Sequence, residues 1–509
     1  MLKRLLLTLL LALLAGGVLA QDEAGEIVLI PFSDVEAGVE GVVPSGWEQF
    51  STGLWLRSGQ PQALIAQQGV ISTLDQIVPA LLQQLGLAEL PEPTGLITAN
   101  ELDWVIYESN GPTGTTIVVD FALSTKGASV YLIILQSDAA ERDALREAVF
   151  IPAVEALKPL ETTPVVPDDA TYTAENVTFN NGAITLAGTL TMPEGEGPHP
   201  AIVLISGSGP QDRDERLQGI GFAPFAVIAD HLTRAGIAVL RYDDRGVGQS
   251  GGDFNAATTA DFAADAQAAL AYLQSRPEIN AAQVGVLGHS EGGSVAAHLA
   301  AAGADTAFYV LMAGPAVNGA DLLVVQNQRI YAAENLSEEE SAAQVAFVEE
   351  MFPLVIAGDS AALTTLLDTR VREQIAALPE AQQSQIGDID NFIQQSVAAQ
   401  ATDFGRAWWP YFLQYNPAEA WAQTGVPILA LFGELDVQVD AEQNASALRE
   451  ALERGEHPDF EIVTLTDANH LFQRADTGSV SEYAALQPQF NPEFLPTVTD
   501  WILAHVTLP

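Results

Sequence analysis

Two segments of this 509-residue chain place a serine in the spacing G-x-S-x-G: Gly248-Gln249-Ser250-Gly251-Gly252 and Gly288-His289-Ser290-Glu291-Gly292. The chemistry open to such a serine is nucleophilic attack on an acyl carbonyl, and the spacing alone does not choose between the two. Context does. Ser290 follows the apolar run Val284–Leu287 and opens an alanine-rich helical stretch toward Ala302. Strand, sharp turn and helix are what lift a hydroxyl above a sheet with its oxygen exposed. The flanking glycines answer a steric need, because a side chain there would collide with the neighbouring strand and helix. Ser250 has no such frame. It trails Arg241–Gly246 and runs into Gly251-Gly252-Asp253, a loop.

A serine hydroxyl is a weak nucleophile at neutral pH and needs a base within hydrogen-bond reach. Seven histidines are available: His199, His231, His289, His298, His457, His470 and His505. His289 points away from Ser290 on this reading, and His298 is expected to pack within the following helix. His199 sits in a proline-rich turn, His231 mid-helix, His505 in the closing helix, and His457 precedes a strand at the wrong edge. His470 alone follows the end of a late strand, in Thr466-Asp467-Ala468-Asn469-His470, and is the expected base. The acid that would orient it belongs in the turn after Pro427–Phe432, which reads Gly433-Glu434-Leu435-Asp436-Val437-Gln438-Val439-Asp440. Asp436 is central there; Glu434 is its rival, and Asp440 reads as a helix N-cap. The chain order Ser290, Asp436, His470 is the α/β-hydrolase order rather than that of chymotrypsin or subtilisin.

Charge developing on the carbonyl oxygen needs preplaced donors. The backbone N–H of Glu291 is one candidate. The other is Ser208, in the loop Ser206-Gly207-Ser208-Gly209-Pro210 after the strand Ala201–Ile205. That loop with Gln211-Asp212-Arg213-Asp214, the segments Arg241–Ser250 and Gly288–Gly293, Gly433–Asp436 and Asn469–Gln473 together resemble the bacterial esterase branch of the α/β-hydrolases, which is itself similar to serine aminopeptidase-type (S33) hydrolases. The likeness covers roughly Ala174 to Leu508. It departs from many relatives in having Ser206 where they carry histidine before the first glycine of the oxyanion loop. The resemblance implies cleavage of carboxylic esters of short acyl chains, a small-molecule substrate and no cofactor. Amide or peptide hydrolysis and acyl transfer stay open to the same triad. A non-catalytic envelope-binding protein is the rival from outside the enzymes. The strings Asp212-Arg213-Asp214 and Asp243-Asp244-Arg245 read as loop-fixing ion pairs.

These residues must be positioned by a scaffold, and the pattern supplies one. From the hairpin signal Asn181-Gly182 onward, short apolar strands alternate with helices: Ala201–Ile205, Phe225–Arg234, Ile237–Leu240, Ala260–Gln274, Val284–Leu287, Ser290–Ala302 and Ala307–Met312. Repeated βα units of this kind mean a mainly parallel sheet with helices on both faces. The rhythm breaks over about 322–423, where no strand signal occurs, then resumes at Pro427–Phe432 and Phe460–Leu465 and closes with Phe494–His505. The expected architecture is an α/β-hydrolase fold over 174–509 with a helical cap, whose aromatic cluster Trp408, Trp409, Tyr411 and Phe412 would line the substrate pocket. Ahead of it, 158–173 has proline-rich linker composition. Residues 21–157 mix strands (Trp55–Arg57, Trp104–Glu108, Thr116–Leu123, Val130–Leu135) with helices at Leu74–Leu85 and Ala139–Leu157, as a small α+β domain would.

Composition narrows the function further. Twenty Lys and Arg face 66 Asp and Glu, for a net charge of −46; such a surface repels phosphate backbones and anionic lipid, so nucleic acid is not an expected partner. There is no cysteine, which removes disulfides, thiolate metal sites and thiol nucleophiles. No H-E-x-x-H or histidine-rich pattern supports a metal. Lys3 and Arg4 before the apolar run Leu5–Leu14, then Val18-Leu19-Ala20, describe a signal peptide over 1–20. The mature protein would be secreted or periplasmic, without stable membrane insertion once the peptide is cleaved. Oligomeric state leaves no mark in the sequence.

Overall fold

The computed structural model describes residues 27–509 apart from 35–36, 58–62, 72–73, 86, 88, 111–115, 127–128, 161–166, 168, 218–220, 335, 380–382, 384–385 and 387. The expected signal peptide and most of the linker's proline-rich centre lie outside the described residues. The chain divides into two compact units: one built from the chain up to Thr163 together with Gly246–Gly251, the other from Pro164–Arg245 and Gly252–Pro509.

The first unit is an antiparallel seven-stranded sheet in the spatial order Glu48–Ser51, Leu54–Arg57, Ala63–Ile71, Ser129–Asp138, Ile117–Lys126, Leu102–Asn110, Gly95–Ala99. Alternation along its strands sends Ile65, Trp104, Ile106 and Ile133 to one face, where they pack with Leu145, Val149 and Phe150. Leu64, Phe121, Leu132 and Ile134 go to the other, against Ile77 and Leu81 of the helix Leu74–Leu85. The helix expected over 139–157 begins at Arg142 and widens into a π turn over Arg146–Phe150 before resuming at Ile151–Ala156. Pro152 has no N–H to donate back into the preceding turn, and the wider turn sits just ahead of it. Asp120, fully buried, is matched by Arg142 at 3.1 Å and Arg146 at 2.5 Å.

The second unit is built on an eight-stranded sheet. A hairpin of Tyr172–Asn181 and Ile184–Pro193 pairs antiparallel with Ala238–Tyr242. From there His199–Ile205, Ile279–His289, Tyr309–Met312, Ile428–Gly433 and Phe460–Leu465 follow in parallel. The hairpin's two-residue loop is Gly182-Ala183, with Gly182 at φ +58°. A loop led by glycine is one of the two mirror-image turns that match strand twist. The Asn-Gly signal marked the right hairpin with its turn one residue early.

The strand His199–Ile205 lies between Ala238–Tyr242 and Ile279–His289, so the chain winds first to one side of it and then to the other. Ligands of open α/β sheets bind at the carboxyl ends of strands flanking such a reversal, and both loops at this one carry expected site residues. Between the neighbouring strands Tyr309–Met312 and Ile428–Gly433 the described elements are all helices, from Gly319–Ala333 to Pro417–Trp421. Ser337, Asp359 and Asp388 cap three of them through their side chains. The helices share a core of their own around Val348, Phe352, Leu367, Ile393 and Leu413. Among the described residues no helix is long and apolar enough to cross a membrane.

Candidate active site

Ser290 sits between the strand Ile279–His289 and the helix Glu291–Ala301 with φ 53° and ψ −121°. A non-glycine residue there costs about 1–3 kcal/mol and persists only where its surroundings dictate it. They do so here: the Ser290 N–H donates to Met312 O at 2.9 Å, and Ser290 O accepts from Gly293 N at 2.8 Å. A Cβ on Gly288 would come within 2.2 Å of Gly292 O, and one on Gly292 within 2.3 Å of Ile205 O. Gly292→Ala therefore forces helix and strand apart. We expect it to lower stability by about 1–3 kcal/mol or more, read as a fall in the thermal midpoint; an unchanged midpoint would show that the elbow is looser than this packing. Ser250, in the competing motif, is buried in a loop, and the next helix opens only at Thr259.

His470 and Asp436 come together across two loops at the carboxyl edge of the sheet. His470 Nδ1 lies 2.8 Å from Asp436 Oδ2. The other carboxylate oxygen, Oδ1, accepts from the backbone N–H groups of Gln438 at 2.7 Å and Val439 at 2.9 Å. Asp436 is buried, and its three donors are what a buried carboxylate needs. Glu434 is engaged elsewhere, accepting from Asp467 N at 3.2 Å. Asp440 caps the helix Ala441–Arg454 through Gln443 N at 2.8 Å. The His470 loop turns on Asn469, whose Oδ1 accepts from Leu471 N and Gln473 N. Among the described residues Ser290 Oγ has no hydrogen-bond partner, and the side chain is half-buried.

The loop Ser206–Pro210 presses directly on the serine: a Cβ on Gly207 would meet Ser290 Cβ at 3.1 Å. Three buried acids from three different segments hold it. Asp244 accepts from Ser206 Oγ at 2.7 Å and Gln211 N at 2.9 Å. Glu215 accepts from Gly207 N at 2.9 Å. Glu291 accepts from Ser208 Oγ at 2.8 Å. The Gly207 N–H is committed to Glu215, while the Ser208 side chain is bonded to Glu291 at the first turn of its helix. Ser206, where relatives carry histidine, thus has an anchor in Asp244.

His289 does not stand apart from the site. Its ring lies 4.8 Å from that of His470, centroid to centroid. Nδ1 is 2.7 Å from Glu215 Oε1, and Nε2 is 3.1 Å from His470 O. Both ring nitrogens face acceptors, which a neutral imidazole cannot satisfy at once. Burial depresses its pKa, but the Glu215 charge and the hydrogen bonds to Glu215 and His470 outweigh it and leave the value raised above 6.5. The folded protein therefore keeps this proton to higher pH than the unfolded chain does. The stabilisation is complete below about pH 6.5 and drains away as pH rises through the folded value. We expect the thermal midpoint to decline over that window in the native protein and less steeply in His289→Gln; equal slopes would remove His289 from the account.

Neither Glu215 nor His289 stood out as a site residue in the sequence; Asp244, in a string read as loop-fixing ion pairs, fixes the loop through hydrogen bonds from Ser206 and Gln211 instead. The neighbouring charges are structural: Arg213 pairs with Asp243 at 2.7 Å, Arg241 with Asp214 at 2.6 Å and Arg245 with Asp265 at 2.6 Å. Of the four cap aromatics, Trp408 is the one whose side chain bonds a residue of the site, donating from Nε1 to Glu291 Oε1 at 2.7 Å. Trp409 packs on Phe404 and donates to Asp403. Tyr411 OH meets His298 Nε2 at 3.2 Å, and Phe412 is buried against the backbone of Gly319. Among the described residues no cluster of His, Asp and Glu could hold a metal ion.

A serine on a strained strand-to-helix turn, a histidine and an aspartate on later loops of the same edge, and a glycine-rich loop after an earlier strand give the second unit the arrangement of the α/β-hydrolase fold. Residues 223–351 match the family described as serine aminopeptidase, S33. Esterase EstD of Thermotoga maritima is 34% identical over 133 residues, which are 26% of this chain and 30% of that protein; the chain thus spans under a third of this relative's length. Among solved structures, an esterase of Pyrococcus furiosus is 17% identical with a TM-score of 0.41, covering 68% of this chain and 96% of its own. A hypothetical protein from Pseudomonas aeruginosa is 17% identical with a TM-score of 0.38, covering 69% and 98%.

Proposed function

We propose that the protein is an exported serine esterase that cleaves small carboxylic esters of short acyl chains. The observation that carries this reading is the buried His470–Asp436 pair at the same sheet edge as the strained Ser290. His470 Nε2 takes the proton as Ser290 Oγ attacks the carbonyl carbon. Asp436 holds the ring in the tautomer with Nδ1–H and stabilises the imidazolium that forms. The carbonyl oxygen becomes an oxyanion between the backbone N–H groups of Glu291 and Ser208. Collapse of this intermediate expels the alkoxide, which takes the proton from His470. Water, deprotonated by the same ring, then attacks the acyl-serine and releases the acid, returning the proton to Ser290. Trp408 would border the substrate from the cap. No step calls on a metal or cofactor. Export rests on Lys3 and Arg4 ahead of Leu5–Leu14 and on the small residues before Gln21.

The partial match to a serine aminopeptidase family favours peptide hydrolysis as a second reading. A peptidase of that kind needs a carboxylate to hold the substrate amine, and the cap's Glu349 and Glu350 are both exposed. Parallel assays of 4-nitrophenyl acetate and amino-acid 4-nitroanilides separate the two. Ester turnover without anilide turnover is the expected result; the reverse would overturn the esterase reading.

A further inference from the structure

Ser208 and Glu291 would give their backbone N–H groups to the oxyanion, and their side chains also hold each other. Ser208 Oγ donates to Glu291 Oε2 at 2.8 Å. The other carboxylate oxygen, Oε1, accepts from Thr259 Oγ1 at 2.6 Å and from Trp408 Nε1 at 2.7 Å. Glu291 is 4% exposed. A glutamate in the first turn of a helix is ordinary when exposed, where it complements the helix dipole. A buried one is costly unless its lone pairs are used, and this one takes donors from three elements: the oxyanion loop, the start of the helix Thr259–Ser275 and the cap helix Trp408–Gln414. Burial raises its pKa, against the opposing pull of those three hydrogen bonds and of Arg406. The acyl-transfer steps make no use of this carboxylate.

Taking Ser290 as the nucleophile, as proposed above, we propose that Glu291 is a positioning residue: its carboxylate fixes the spacing of the two oxyanion donors and ties that spacing to the cap through Trp408. The loop's other fastenings do not do this. Asp244 ties the loop to the strand on its far side, and Glu215 ties the Gly207 N–H to the His289 ring ahead of the nucleophile; the Ser208–Glu291 bond is the one that joins the two donor residues to each other. The interaction matters most when the oxyanion forms, because amide donors must meet an oxygen that the ground state does not place there. A loop that loosens by a fraction of an ångström therefore lowers kcat and leaves KM nearly unchanged.

The test is a double-mutant cycle on the full-length protein with 4-nitrophenyl acetate. Ser208→Ala keeps the backbone N–H, and Glu291→Gln keeps the shape. Each is expected to lower kcat about tenfold, with KM changed less than about twofold. The double variant should be no slower than the slower single one, because all three lack the charge-assisted Ser208–Glu291 bond, in whose place a Gln amide can at most donate weakly to Ser208 Oγ. Ser208→Thr should restore most of the rate. Independent losses that multiply to about a hundredfold, or wild-type kcat in Ser208→Ala, would overturn the inference. Should Glu291→Gln not fold, the Ser208→Ala and Ser208→Thr pair decides alone. A Ser290→Ala control separates this inference from the reading beneath it: activity surviving there would bring down both.

Discussion

Ser290→Ala is expected to reduce ester turnover by a factor on the order of 10⁵–10⁶, with unfolding behaviour little changed. The loss is this large because the hydroxyl is the reacting atom. What remains after its removal is the residual assistance of the oxyanion amides and substrate binding. Ser290→Ala also leaves φ 53° on a residue with a Cβ, so the elbow's strain is not relieved by the change. Circular dichroism and the thermal midpoint, measured beside the rate, separate a missing nucleophile from a collapsed turn. The same substitution at Ser250 is expected to leave kcat within about twofold of the native value, as for a residue outside the chemistry. A severe rate loss in Ser250→Ala with the fold intact would return the competing motif to consideration.

Asp436→Asn is the second substitution with a large expected effect, a fall in kcat of about 10⁴. The carboxylate accepts from His470 Nδ1–H at 2.8 Å through Oδ2 while Oδ1 is committed to two backbone N–H groups. An amide cannot satisfy all three. If its oxygen keeps the backbone donors, its NH2 faces His470 Nδ1 and drives the ring to the tautomer with the proton on Nε2. That nitrogen can then no longer take the serine proton. Raising the pH should not restore the native rate, since the fault is in the proton's location and not in the extent of ionisation. The Glu434 side chain, by contrast, accepts among the described residues from the N–H of Asp467 at 3.2 Å, and Glu434→Gln is expected to stay within about twofold of native kcat. A larger loss at Glu434 than at Asp436 would reverse the assignment of the acid.

The parts of the molecule that were legible in the sequence are those where local pattern and tertiary role coincide. Val284–Leu287 followed by glycine, serine and an alanine-rich run announces a strand, turn and helix because a short continuous apolar run gives way at Ser290 to a longer helix-forming stretch. Asp436 and His470 can be singled out because each lies just past a short apolar strand, where such sheets gather their ligands. The first unit was read less completely. Glu48–Ser51 is exposed throughout, and Gly95–Ala99 alternates but points the apolar Leu96 into solvent, so in neither does the residue pattern report an inward face.

The carboxylates behind the oxyanion loop were illegible for a different reason. Glu215 sits beside the string Asp212-Arg213-Asp214, and Glu291 in a helix's first turn; nothing local at either position marks its carboxylate as buried. Their burial depends on partners far along the chain: Glu215 meets His289 74 residues on, and Ser208 meets Glu291 83 residues on. No local pattern encodes such a pairing. The cap aromatics fail in the same way. Trp408 and Phe412 stack on one face of a helix of seven residues while Trp409 turns to Phe404 and Tyr411 to His298, and among the described residues Trp408 is the one of the four that bonds Glu291. Composition recorded that an aromatic cluster existed, not which face of the helix met the site.

Covalent labelling with a fluorophosphonate, followed by peptide mapping of the mature protein, tests the central claim most directly, since the reagent reacts only with an activated serine. The expected result is a single adduct on Ser290, absent from His470→Ala. An adduct on Ser250, or none on a protein that is demonstrably folded, would contradict the assignment of Ser290 as a nucleophile served by His470.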